Sequence, residues 1–392
     1  MKSVYIIEGA RTPFGTFGGA LKDVEPTDLG ITAGKEALKR SGIDAASIDF
    51  SVIGNVIHSS QNAPYMARHI ALKTGIPMES PALAVNRLCG SGMQSVVSAA
   101  QSILLGEGET ALAGGVDSMS LAPYALRGSR FGTKLGTPKV DDMLWSALTD
   151  EYIGAGMGMT GENLAERYEI SREAQDEYAT RSHQRAAEAR RSGRFAEEIA
   201  PVEVKGRKGT TVVDQDEHIR EDTNSEKLAK LKPAFKKDGS VTGGNASGIN
   251  DGAGAVVLAS ENYVQDHSLS PVARIVSWSV AGVDPHYMGI GPAPAIRQAL
   301  EKAELSLEDM DLIEVNEAFA AQYLAVEKEL GLDREKVNVN GGAIALGHPV
   351  GASGTRVLYT MIKELKRRGG RYGVASLCIG GGQGIAMVVE SV

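Results

Sequence analysis

Cys89 and Cys378 are the only two thiols in 392 residues, and each stands among glycines. A chain this long with two cysteines does not rely on a disulfide framework. The choice is therefore between inert buried thiols and reactive ones. Cys89 lies in Val85-Asn86-Arg87-Leu88-Cys89-Gly90-Ser91-Gly92-Met93, and behind it Met93, Val96, Val97, Ala100, Ile103 and Leu104 fall at helical spacing. The pattern predicts a strand-to-helix turn with Cys89 at a helix N-terminus. Free N–H groups and the helix dipole there favour the thiolate, which is the nucleophilic form. The plainer alternative is a small residue packed at a turn.

Three more segments carry chemistry. His348, in Gly341-Gly342-Ala343-Ile344-Ala345-Leu346-Gly347-His348-Pro349-Val350-Gly351, precedes a helix marked by Val357, Leu358, Met361, Ile362 and Leu365. A His facing a Cys is the usual way to activate a thiol; alone, it reads as a loop His. Cys378 ends the apolar run Val374-Ala375-Ser376-Leu377 and enters Ile379-Gly380-Gly381-Gly382-Gln383-Gly384, ahead of the strand Ile385-Ala386-Met387-Val388-Val389. Such a turn presents unencumbered N–H groups that can hold a carbonyl oxygen as it gains charge; the alternative is a hairpin with a core cysteine. Asn316 follows an apolar strand in Glu314-Val315-Asn316-Glu317-Ala318-Phe319, where the plain role is a helix N-cap.

These segments need a frame. Val4-Tyr5-Ile6-Ile7 reads as a strand, residues 29–39 as a helix and residues 50–57 as a strand, an alternation typical of an α/β layer architecture. The pattern recurs late in the chain. Leu38 matches Leu300, and Ser91 in Cys89-Gly90-Ser91-Gly92-Met93 matches Ser353 in Gly351-Ala352-Ser353-Gly354-Thr355; both offsets are 262, as 300 − 38 and 353 − 91. The repeat predicts a duplicated domain, pairs Asn316 with Gly54, and sets the His348 turn against the Cys89 turn across a pseudo-twofold axis. We divide the chain into an N-terminal half (residues 1–120 with about 250–270), a helix- and loop-bearing insertion (121–249) and a C-terminal half (271–392). An insertion this long is usually functional.

Bulk properties exclude some classes. The net charge of −8 argues against a nucleic-acid partner. No apolar run approaches the ~18 residues of a membrane span. Residues 1–8 hold only a four-residue apolar run, too short for a signal peptide, and the last five residues are not a sorting address. The expectation is a cytoplasmic enzyme. The 47 glycines exceed the ~7% average and cluster without period, as expected of tight turns close to a ligand.

Asn316-Glu317-Ala318-Phe319, Gly347-His348-Pro349 and Cys378-Ile379-Gly380-Gly381-Gly382, together with Cys89, resemble the thiolases along the whole chain and in the thiolase order. The likeness is strongest to the bacterial acetyl-CoA acetyltransferases. It implies five layers, αβαβα, built from two similar α/β halves. It implies reversible condensation of two acetyl-CoA to acetoacetyl-CoA, with no metal and no permanently bound cofactor; coenzyme A and acyl-CoA enter as substrates. By this likeness Cys89 carries the acyl group, His348 takes the Cys89 proton and Cys378 is the acid/base at the acetyl-CoA methyl group. Asn316 holds a water that forms one oxyanion site with His348, and the N–H groups of Cys89 and Gly380 form the other. Coenzyme A contacts carry over to Arg220, Leu231, Ala234, Phe235, Gly243, Ser247, Ala318 and Phe319, and the Met pair of the acyl pocket to Met157 and Met288. The lysines at 227, 230, 232, 236 and 237 suit an anionic ligand. The likeness further implies a homo-oligomer, dimer or tetramer.

One position departs. Gly156 stands where the biosynthetic members carry His, which loosens strict short-chain specificity. The nearest rival is a longer-chain 3-ketoacyl-CoA thiolase of fatty-acid degradation. A ketoacyl synthase would use two His, or His and Asn, without a second catalytic Cys. A non-catalytic acyl-CoA or lipid carrier would form no acyl-enzyme.

Overall fold

The computed structural model describes residues 3–207 and 209–392; Met1 and Lys2 of the N-terminal reading lie outside them. The strands that frame the site are β1 (Val4–Arg11), β2 (Phe50–Gly54), β3 (Ala82–Val85), β4 (Thr110–Ser118), β5 (Asn250–Ser260), β6 (Ala273–Gly282), β7 (Leu312–Val315), β8 (Tyr372–Ile379) and β9 (Gln383–Ser391). They join in the order β7-β8-β9-β6-β1-β5-β4-β2-β3. Apart from the edge strand β3, the order is a palindrome about the β1/β6 junction. The parallel pair β2/β4 mirrors β7/β8, and the antiparallel β4/β5 mirrors β8/β9. Only Val4–Ile6 and Ala273–Ile275 bond across the centre.

Helices complete the five layers. α1 (Pro26–Ser41) and α2 (Met66–Thr74) cover the outer face of the N-terminal sheet, and α3 (Ser91–Leu105) its inner face. α4 (Met157–Arg167) and α5 (Arg172–Arg191) lie between β4 and β5 in sequence. α6 (Pro292–Ala303) and α7 (Ala320–Leu330) lie outside the second sheet, while α8 (Val350–Arg368) packs on α3 in the middle.

The strands show why. Val256 and Leu258 of β5 face the central core while Ala255, Val257 and Ala259 face the outer one; β9 alternates likewise, with Ile385, Met387 and Val389 central and Ala386 and Val388 outward. Both sheet faces are buried, so apolar residues fill both phases of the period-two pattern.

The central helices cross where neither can carry a side chain. A Cβ on Gly92 would lie 2.7 Å from Thr355 N, and one on Gly354 would lie 2.3 Å from Met93 N. These glycines are 262 residues apart (354 − 92), so the repeat offset falls at the axis between the halves. The close crossing brings both helix N-termini together, and with them the turns holding Cys89 and His348.

Two element readings needed correction. The strand expected over residues 50–57 stops at Gly54, because Asn55, Val56 and Ile57 turn away to bond the Asp117 carboxylate. Asn316 is not a cap: α7 starts at Ala320 after Phe319, and Asn316 N–H instead donates to Ser376 O at 2.9 Å.

Candidate active site

Cys89 lies on a tight turn ahead of α3. Leu88 takes φ +45°, a left-handed conformation that costs a non-glycine residue about 1–3 kcal/mol and that clusters at functional sites. Local bonds hold it there: Gly90 N–H donates to Arg87 O at 3.0 Å, Ser91 N–H to Leu88 O at 2.9 Å, and Ser91 Oγ–H to Leu88 O at 2.7 Å. Cys89 is part-exposed and packs against the cluster of Ile57, Met119, Leu144 and Val350. Its own N–H and that of Gly380 point at its sulfur and lower the thiol pKa. Burial, together with the Asp117 charge, outweighs them and pushes it up to about 11. The thiolate expected from the helix N-terminus is therefore not the resting form.

His348 sits two residues before α8 and is 6% exposed. Its N–H donates to Asn250 Oδ1 at 3.0 Å. Ser353 Oγ–H donates to Pro349 O at 2.9 Å, so its oxygen is free to accept from His348 Nδ1 at 2.5 Å. This pairing assigns the proton to Nδ1 and leaves Nε2 with its lone pair, 3.5 Å from Asn316 Nδ2. Burial first, then the Arg356 charge, pushes the His348 pKa down to about 3. The ring is neutral, as a base must be.

Cys378 is fully buried near the end of β8, paired with Gly384 of β9. Burial and the neighbouring Cys89 hold its pKa well above that of an ordinary thiol. Cys378 is therefore a protonated thiol, suited at rest to donate. Gly380 follows at the turn, where an added Cβ would lie 3.1 Å from Leu88 Cδ1 and 3.4 Å from Met157 Sδ. Gly381 and Gly382 both take φ +79°, which only glycine adopts freely. Asn316 is fully buried, and its Oδ1 has no protein partner among the described residues.

The expected ligand-contact residues divide. Met288, Ala318 and Phe319 share one buried cluster with Cys378, with Met157 packed against it. Phe235 meets Phe319 edge-on, ring centroids 6.1 Å apart, and is exposed, so an aromatic contact links the surface to the cluster that holds Cys378. Ala234 N–H bonds Val241 O at 2.9 Å and Ser247 N–H bonds Ala318 O at 2.9 Å. Leu231 covers Gly244, beside exposed Gly243. Arg220 stands apart: its N–H donates to His183 Nδ1 at 3.2 Å, and its guanidinium makes no ion pair among the described residues. The lysines are less free than their sequence suggested. Lys227 pairs with Asp222, Lys230 with Glu226 and Lys236 with Glu166, which leaves Lys232 and Lys237 unpaired among the described residues.

Asp117, Asn250 and Ser353 escaped the sequence reading. For Ser353 a signal existed: the 262 offset pairs it with Ser91, and both hydroxyls bond a carbonyl at the head of their own helix. Among the described residues, no group of three or more His, Cys, Asp or Glu could hold a metal, and no helix is long and apolar enough to cross a membrane.

With this geometry described, the comparisons decide the family. Residues 4–262 match the thiolase N-terminal domain and residues 269–391 the thiolase C-terminal domain. The chain belongs to the thiolase family. It is thus an acyltransferase. It is 55% identical over its full length to "3-ketoacyl-CoA thiolase, mitochondrial" of Homo sapiens, covering 99% of that protein. The crystal structure of the human enzyme with CoA superposes with a TM-score of 0.97, covering 100% of this chain and 98% of that one. A relative named acetyl-CoA acetyltransferase, from Syntrophomonas wolfei, is 50% identical, covering 100% of this chain and 99% of that protein. The Bacillus anthracis acetyl-CoA acetyltransferase structure gives a TM-score of 0.98 at 52% identity, with 100% of this chain and 99% of that one covered. One expectation falls here. The cytoplasmic location is overturned by five mammalian relatives, 53–55% identical, that are all named mitochondrial.

Proposed function

We propose that this thiolase transfers acyl groups between Cys89 and coenzyme A, cleaving 3-ketoacyl-CoA and, in reverse, condensing two acetyl-CoA to acetoacetyl-CoA. The observation that carries this reading is the cluster of Cys89 with its own N–H, that of Gly380 and Cys378, at a close helix crossing that brings in the turn of His348, whose Nδ1–H is held by Ser353. In cleavage the Cys89 sulfur bonds the 3-keto carbon, and His348 Nε2 takes the thiol proton. A resting ion pair is disfavoured with the thiol at about 11 and the imidazole at about 3, so the proton moves as the carbon–sulfur bond forms. The oxygen gaining charge lies against the two N–H groups. The bond between C2 and C3 then breaks, and Cys378 protonates the enolate carbon, releasing acetyl-CoA. Coenzyme A next attacks the acyl carbonyl, its thiol proton passing to the Cys378 thiolate, and leaves as the acyl thioester while His348 returns its proton to the departing Cys89 sulfur. In condensation Cys378 first gives its proton to the coenzyme A thiolate leaving Cys89 and, so ionised, removes a methyl proton; the enolate oxygen rests between the protonated His348 and a water on Asn316 Oδ1.

The acyl cleft takes acetoacetyl-CoA best and tolerates somewhat longer chains. Met157 and Met288 narrow it. A Cβ on Gly156, however, would meet only Leu148 O, at 3.7 Å, and Leu148 packs against the same cluster as Cys89. The human relative's 3-ketoacyl-CoA name favours the broader reading. A substrate series from acetoacetyl-CoA through 3-ketohexanoyl- to 3-ketooctanoyl-CoA tests it: kcat/KM should decline gradually with length. A maximum at 3-ketooctanoyl-CoA or beyond would give the broad-range degradative reading instead. Arg220, Leu231, Ala234, Phe235, Gly243, Ser247, Ala318 and Phe319 are read as coenzyme A contacts.

The division into halves at 1–120 with 250–270, and at 271–392, around the insertion 121–249, draws support from the palindromic strand order. A homo-oligomer, dimer or tetramer, is supported by exposed Phe131, Leu135, Trp145 and Tyr152 in the insertion.

A further inference from the structure

Asp117 ends β4 fully buried and touches both sides of the site. Its Oδ1 accepts from Asn55 Nδ2 at 2.8 Å, Val56 N–H at 3.3 Å and Ile57 N–H at 2.9 Å. Val56 and Ile57 pack in the cluster that holds Cys89. Its Oδ2 accepts from Gly351 N–H at 2.6 Å, three residues beyond His348. On the neighbouring strand, Asn250 Oδ1 accepts from His348 N–H at 3.0 Å. The His348 turn is thus hung from the N-terminal half at two points. The backbones approach so closely that a Cβ on Gly115 would lie 1.9 Å from Gly351 O, so the turn has little freedom to shift. Asp251 is the carboxylate that faces Asp117 from β5. Burial, with the Asp251 charge, pushes the Asp117 pKa up to about 7, so its full charge is present above that pH, with the Cys89 thiol within its reach.

We propose that Asp117 is a positioning residue for the acyl transfer: its carboxyl group sets the separation of Cys89 and His348 and, when ionised, places a negative charge beside the Cys89 thiol. The inference rests on the reading of Cys89 as nucleophile and His348 as its base. A buried carboxylate that accepts four donors would hold the fold together in any protein. Here the two oxygens serve opposite halves of the duplication: one bonds residues in the cluster that holds Cys89, the other the head of the helix that follows His348. Repulsion by that charge disfavours a free thiolate, so a reactive thiolate forms only as His348 removes the proton. The repeat offset places Ile379 opposite Asp117 (117 + 262), so the clamp belongs to one half alone, the half that carries the nucleophile.

Asp117→Asn keeps shape and removes the charge. The measurements are kcat, the KM for coenzyme A, and the pH dependence of Cys89 alkylation by iodoacetamide, read on the Cys89 peptide. The expected result is a fall in kcat of about ten-fold or more with the KM within about two-fold, and an alkylation midpoint lower by about 0.5–1 pH unit. Asp117→Glu keeps the charge and should leave the midpoint at its parental value. Should Asp117→Asn fail to fold, Asp117→Ser, which leaves room for a water among the same donors, is measured in its place. An unchanged kcat, an unmoved midpoint in the neutral variant, or an equal drop in the charged and neutral variants would overturn the inference. An acetyl adduct at Cys89 in the parent enzyme, alongside any of these, keeps the failure apart from a failure of the Cys89 reading.

Discussion

Gly156→His tests the acyl cleft directly. Gly156 has φ −73° and ψ 157°, an extended conformation open to any residue, so the substitution adds no backbone strain. An added Cβ meets nothing closer than Leu148 O at 3.7 Å, so an imidazole enters open space and fills it. 3-Ketohexanoyl-CoA carries two more methylenes than acetoacetyl-CoA. If those methylenes occupy this space, each contributes about 0.8 kcal/mol of burial, about 1.6 kcal/mol together. Losing it lowers kcat/KM for the longer substrate about 15-fold relative to acetoacetyl-CoA. Gly156 is also the N-cap of α4, and His is a poorer cap by a few tenths of a kcal/mol. The melting temperature should therefore move by only a degree or two. The assay follows the loss of each 3-ketoacyl-CoA in the presence of coenzyme A for both proteins. A ratio of the two kcat/KM values that stays within about two-fold of the parent, or that rises, would refute the placement of Gly156 beside the acyl chain.

Cys378→Ser should still take the acetyl group on Cys89 yet lose carbon–carbon bond formation, with proton exchange at the acetyl-CoA methyl group falling alongside; undiminished exchange would remove Cys378 from the acid/base role. Arg220→Ala and Lys232→Ala should raise the KM for coenzyme A more than they lower kcat, and the Lys232 effect should shrink in high salt. Lys227→Ala should do less, because that lysine is already paired with Asp222; a larger effect from Lys227 would reverse this assignment. Burial pushes His183 and His218 down to about 4, with the His218 and Arg220 charges adding to the effect on His183 and the Arg220 charge to that on His218. Below about pH 6.5 the unfolded chain takes up protons that these folded imidazoles refuse, so they make stability fall as pH drops from about 6.5 to about 4. His218→Gln should flatten part of that slope in melting temperature against pH, and an identical slope would count against the assignment.

The duplication was legible because two short segments kept one offset, and that offset lands on Gly92 and Gly354, where the central helices touch. Cys89, His348, Cys378 and Asn316 were legible because each stood in an unusual local setting of glycines and strand ends. Asp117 and Asn250 were not, since a single polar residue in a strand looks the same whether it faces solvent or clamps a turn more than 90 residues away. The charge states were equally hidden. A helix N-terminus lowers a thiol pKa, but the burial that outweighs it at Cys89 comes from segments distant in sequence, Ile57, Leu144 and Val350 among them. The lysine stretch misled for a related reason: Glu166, which pairs with Lys236, lies 70 residues earlier.

The acyl-enzyme is the centre of this account. Enzyme mixed with acetyl-CoA, quenched in acid and digested, should show one acetyl group on the peptide holding Cys89, and none in Cys89→Ser treated in the same way. An acetyl group found only on the Cys378 peptide, or turnover with no acetylated peptide at any time point, would contradict it.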